Sequence, residues 1–123
     1  YENRMIKDLA AACPSFKKDL EKTLARIVDL HPIVKTNYYH PKFNGSFSLK
    51  DVLPAVTSLD YSDLEIQGGT AASQQYYRMI FEATDPAEKE RIRQALLAYC
   101  KRDTLAMVEL RRILMKKAAA IAS

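Results

Sequence analysis

No lysine–arginine block, no closely spaced cysteine pair and no long apolar run occurs in these 123 residues. Each absence narrows the field. The formal net charge of +4 comes from scattered side chains, which permits a nucleic-acid partner without arguing for one. Cys13 and Cys100 stand far apart and unaccompanied, so neither a disulfide framework nor a zinc set is expected, and a cytoplasmic location is the default. His31 and His40 are too far apart for ligands one helical turn apart, and no Cys-x-x-Cys accompanies them. No apolar stretch approaches the ~20 residues a membrane span needs, and the first residues carry no signal-peptide pattern. There is no initiator methionine either, from which we expect a fragment of a longer protein.

What is present is periodic order. Apolar residues make up 48% of the chain, enough for a modest core in one domain or part of one and too many for a disordered tail. The spacing predicts a helix over residues 1–12, with Met5, Ile6 and Leu9 on one face. Pro14 breaks it, and Ser15 is expected to cap a second helix over 16–27, striped by Phe16, Leu20, Leu24 and Ile27. The β-branched run Ile27-Val28-Asp29-Leu30 reads as a buried strand or an extended exit, and His31-Pro32 as a turn. Residues 38–45 read as an ordered aromatic loop whose rings pack on a neighbour.

A short helix is expected from Ser48, its cap, with Leu49, Val52 and Leu53 turned inward and Pro54 kinking or shortening it. A polar turn follows from Thr57, and Gly68-Gly69 punctuates. The fifth helix, about 70–83, is expected to carry Ala72, Tyr76, Met79 and Ile80 on its inner face. No repeat and no linker interrupts the chain, which is read as one domain fragment over 1–123 with a compact, mainly α architecture and little strand.

The longest helical pattern opens at Asp85-Pro86-Ala87-Glu88: a capping carboxylate, proline in the first turn, and an acid three places after the cap. Its apolar stripe runs through Ile92, Leu96, Tyr99, Ala106, Met107, Leu110 and Leu114, in steps mostly of three and four. Asp103 falls in the gap of that stripe, one turn after Tyr99. A carboxylate on a buried helix face is costly unless it is paired or binds metal. Two readings stay open here: a carboxylate hydrogen-bonded to a backbone amide or an arginine, or a metal ligand beside a phenol that orients water. The second suits phosphodiester hydrolysis by two ions roughly 4 Å apart.

Other constellations carry less. Phe47 occupies the place that a Ser-x-x-Lys nucleophile needs between Ser46 and Lys50. Gly68-Gly69 lacks the later glycine and lysine of a phosphate loop. Asp19 and Glu21 diverge on a helix, and Asp63 and Glu65 follow a turn; both pairs read as solvated charges, as do Lys101 and Arg102.

The runs Gly45 to Pro54, Leu59 to Ile66 and Tyr99-Cys100-Lys101-Arg102-Asp103-Thr104-Leu105-Ala106-Met107-Val108 resemble a bacterial domain-of-unknown-function family (number twenty-seven seventy-nine). Val28-Asp29-Leu30-His31 and Tyr38-Tyr39-His40-Pro41 sit where that family's pattern puts them, so the resemblance covers nearly the whole chain. The family is similar in turn to the 3′–5′ exonucleases of the DEDD superfamily, which have a ribonuclease-H-like fold. In those enzymes four carboxylates on three motifs hold two magnesium or manganese ions. Tyr99 and Asp103 match the tyrosine form of the third motif, and Tyr1-Glu2 the end of the second, so Glu2 is the second-motif acid. The first motif is missing.

The resemblance therefore implies the helical C-terminal part of a ribonuclease-H-like α/β exonuclease fold, lacking its N-terminal strands and two of four metal ligands. Asp103 and Glu2 are then metal ligands for Mg2+ or Mn2+, Tyr99 positions the attacking water, and the substrate is DNA or RNA. The fragment alone is expected to be inactive. The alternative is a non-catalytic helical module that binds nucleic acid or protein. A fragment without its sheet is also expected to leave open the stripes Met5, Ile6, Leu9 and Leu96, Tyr99, Met107, Leu110, and to pair as a homodimer through the long helix.

Overall fold

The computed structural model describes residues 2–122, and all regular elements among them are helical. The mainly α reading holds. Two compact units make up the chain, one running to Pro32 and the other starting at Ile33.

The first unit is a helical hairpin: α1 (Glu2–Ala12), a 3-10 turn over Pro14–Phe16, and α2 (Lys17–Leu24), packed against α1. The turn starts at Pro14 because proline has no N–H to leave unsatisfied there. Phe16, not Ser15, stands at the start of α2, and no side chain caps it. The hairpin buries Ala10 while Met5, Leu9 and Phe16 stay exposed. Tyr1, which the resemblance joined to Glu2, lies outside the described residues.

The expected strand at 27–30 does not form. Residues 27–29 are irregular and Val28 is exposed. Leu30 instead opens α3 (Leu30–Asn37), within which the boundary between the units falls. Asp29 explains the start: its Oδ1 accepts the His31 N–H at 2.9 Å. Pro32 falls in the first turn, where its missing N–H costs nothing. An Asp followed closely by Pro is a helix opening, and it outweighs β-branched propensity here.

In the second unit Phe43 is wholly buried. Tyr38, Tyr39 and Phe47 set their rings around it at centroid distances near 6 Å, mostly edge-on. The aromatic segment thus packs on its own central ring. Asn44 and Gly45 carry the chain out through positive φ of 51° and 80°. α4 (Leu49–Val56) follows, with Val52 and Leu53 buried and Pro54 accommodated inside it. Ser48 stands at its cap position without capping; its Oγ donates to Asp51 Oδ2 at 2.7 Å, as Ser46 Oγ does at 2.5 Å.

An irregular connection over 57–68 leads to α5 (Gly69–Tyr77), which continues as a π-helical turn over Arg78–Glu82. The widened turn breaks the 3.6-residue period. Tyr76 and Ile80, expected on the inner face, are exposed, while Ala72, Gln75 and Met79 are half-buried. The last helix, α6 (Pro86–Ile121), is capped as its sequence foretells: Asp85 Oδ1 accepts the Ala87 N–H at 3.1 Å. Its 36 residues make a rod about 54 Å long. Ile92, Ala106 and Leu110 are buried on one face, against which α4 and α5 pack. Ser123 lies outside the described residues.

This packing corrects one expectation. Of the stripe Leu96, Tyr99, Met107 and Leu110, only Met107 is exposed: Leu110 is buried, Leu96 and Tyr99 are half-buried, and Tyr99 packs on the Leu53–Tyr61–Ala106 core. The elements that cover it are the unit's own.

Candidate functional site

Tyr99 and Asp103 project from the same side of α6, one turn apart, as their spacing requires. The connection over 57–68 brings a third group to them. Tyr61 is buried against Leu53 and Ala106, with Leu49, Leu59, Leu64 and Tyr99 around it. Its hydroxyl donates to Asp103 Oδ1 at 2.6 Å, a short bond of the kind a carboxylate forms with a phenol. The two phenol rings lie 6.1 Å apart.

Both phenols hold their protons tightly. Burial raises the Tyr61 pKa well above the ordinary 10, and the hydrogen bond to Asp103 and its charge add to the shift. Tyr99 is pushed up to about 12, again by burial first, then by a hydrogen bond to Asp103 and its negative charge. At neutral pH both are protonated, and the Asp103 carboxylate receives the Tyr61 hydroxyl.

Arg102, next along α6, grips the same connection from the other side. Its guanidinium makes two parallel bonds to Asp63, at 2.8 and 2.7 Å, and also donates to the Asp60 carbonyl oxygen. The side chain is 18% exposed, so it is not the solvated charge that its position suggested. Asp63 is held below its ordinary pKa by Arg102. Asp60 is held below its own by the Ser62 hydroxyl, 2.7 Å away, and the Ser62 amide. Glu65 is tied to Arg91 of α6. The acids at 63 and 65 are therefore paired across elements rather than merely solvated.

Of the residues the sequence singled out, Tyr99 and Asp103 stand one turn apart on α6 of the second unit, and Glu2 opens α1 of the first. A metal ion held by Asp103 needs further hard ligands, and no group of three or more His, Cys, Asp or Glu among the described residues is placed to hold one. One Asp103 oxygen already receives a phenol.

Tyr61, Asp60 and Asp63 are the participants that sequence reasoning missed. Tyr61 lies 42 positions from Asp103, and Asp63 39 from Arg102, so no local periodicity reveals the pairs. The signal was a phenol flanked by acids, Asp60-Tyr61-Ser62-Asp63, facing an Arg-Asp dipeptide on a helix.

No helix among the described residues is long and apolar enough to cross a membrane. Comparison with curated proteins and with solved structures found no match. The resemblance expected over nearly the whole chain is found at its beginning: the runs Leu59 to Ile66 and Tyr99 to Val108 lie outside the matched span. Over residues 1–48 the chain matches the model of a family described as Domain of unknown function (DUF2779).

Proposed function

We propose that this chain is a non-catalytic helical interaction module, with a second copy of itself as the partner that its surface fits. The observation that carries this is the outer face of α5 and its π turn. Tyr76, Tyr77, Ile80 and Phe81 are exposed there in one short run, Phe81 by 70%, with the Tyr77 and Phe81 rings 4.8 Å apart. Clustered aromatics are what interface cores are made of. Arg78, inside the run, is tied to Glu88 at 2.5 Å, so its charge is met within the chain. A two-fold axis would set this apolar run against the same run of a second copy. The unpaired thiols Cys13 and Cys100 suit a reducing cytoplasm.

Sedimentation of the full chain over a dilution series tests this reading. Self-association that Tyr77→Ser with Phe81→Ser abolishes, with the melting temperature of the dilute monomer unchanged, supports it. A monomer at all concentrations overturns it. Saturable, salt-sensitive binding of a labelled single-stranded DNA or RNA would move the reading to a nucleic-acid module.

A part in a metal-dependent 3′–5′ exonuclease-like domain is the second reading. The observation favouring it is the meeting of Tyr99 and Asp103 on α6 in the order of the third motif. Its test is divalent-ion binding that depends on Asp103.

A further inference from the structure

We infer that Arg102 and Asp103 form a metal-free clasp that fixes residues 60–63 and thereby sets the position of α5. The two are adjacent on α6 and close on the same short segment from both sides. Arg102 takes the Asp63 carboxylate with two nitrogens and the Asp60 carbonyl with one of them. Asp103 takes the Tyr61 hydroxyl between those anchors. The segment cannot slide along α6 without breaking bonds at 60, 61 and 63 together.

Within the segment, Ser62 returns its amide and hydroxyl to Asp60 Oδ1, so the clasped turn is itself closed. Gln67 Nε2 donates to the carbonyls of Ser62 and Leu64, at 3.3 and 3.2 Å, and carries that order toward Gly68. α5 begins at Gly69, beside the Tyr99 hydroxyl: a Cβ built on Gly69 would lie 3.9 Å from it. Tyr99 thus lies between Asp103 and the first residue of α5, and the clasp ends where α5 starts.

The donor set argues for a clasp over a metal site. Its acids are matched one by one: Asp63 with a guanidinium, Asp103 with the Tyr61 phenol, Asp60 with Ser62. Among the described residues no group of three or more His, Cys, Asp or Glu is placed to hold a cation. The inference does not depend on what covers the α5 patch.

Hydrogen exchange and melting of the full chain test it together. Removing a hydrogen bond to a charged group lowers local stability by roughly 1.5 kcal/mol, a factor of about ten in opening. Tyr61→Phe is therefore expected to speed exchange about tenfold at the amides of 57–68 and of α5, with the N-terminal half of α6 unchanged. Asp103→Asn is expected to melt about 4 °C or more lower. Millimolar MgCl2 or MnCl2 is expected to shift wild type and Asp103→Asn equally. Unchanged exchange in α5 overturns the clasp. So does a gain in melting temperature with Mg2+ or Mn2+ that wild type shows and Asp103→Asn lacks. If Asp103→Asn does not fold, wild type carries the metal comparison alone: a gain in melting temperature with Mg2+ or Mn2+ that NaCl of equal ionic strength does not give overturns the clasp.

Discussion

The Tyr61 hydroxyl and Asp103 Oδ1 lie 2.6 Å apart and join residues 42 positions distant. A carboxylate in the middle of an apolar stripe is thereby made compatible with its surroundings. Its desolvation is offset by a strong neutral donor, and the donor's ring fills the core beside Leu53 and Ala106.

Arg102→Lys is expected to destabilise the chain by about 1–2 kcal/mol, although charge is kept. An ammonium cannot reproduce two parallel bonds to Asp63 together with one to the Asp60 carbonyl. Urea unfolding measures this. A shift in midpoint without a change in slope assigns the loss to the native state.

Alkaline pH is expected to weaken the fold as the two phenols are forced to ionise. Tyr61 and Tyr99 have folded pKa values raised above the unfolded 10, Tyr99 to about 12. The protonated phenol is the form the fold favours, so this stability is complete below about pH 10 and is lost as pH rises through the folded values. Melting temperature against pH checks it. Tyr99→Phe should flatten the curve between pH 10 and 12, because one of the two protons no longer has to be given up.

Gln75→Met is expected to stabilise the chain by about 1 kcal/mol. Gln75 Oε1 is buried with no hydrogen-bond partner, and an unmade bond costs more than an absent group. Methionine keeps the length and removes the orphan. Thermal or urea unfolding would show the gain.

Leu53→Ala and Phe81→Ser remove similar apolar bulk with opposite expected results. Leu53 is wholly buried in the cluster that receives Tyr61, so its truncation should cost about 2–5 kcal/mol. Phe81 is exposed, and its loss should leave stability within about 0.5 kcal/mol. Unfolding curves of the two variants, side by side, check the assignment of core and surface.

Local chemistry carried much of the fold. Asp85 and Pro86 announced α6, and Pro14 the end of α1, because caps and prolines act within a few residues of themselves. The same chemistry was present at Asp29 and Pro32 and opens α3, against the β-branched residues before it. Tyr76 and Ile80 were placed on the wrong face because tyrosine suits both core and surface, and because the π turn after Tyr77 shifts the register. Of the candidate site, Tyr99 and Asp103 were legible, since four residues of one helix fix their meeting. Tyr61, Asp63 and the role of Arg102 were not, since those pairs close across a connection that has no periodicity to read.

The most direct measurement is a crystal structure of the chain grown or soaked with MnCl2, with anomalous difference density used to locate manganese. The clasp predicts no manganese peak at Asp103, the Tyr61 hydroxyl still within hydrogen-bond distance of its carboxylate, and Arg102 still paired with Asp63. A manganese peak bonded to Asp103, with the Tyr61 hydroxyl displaced, would contradict it.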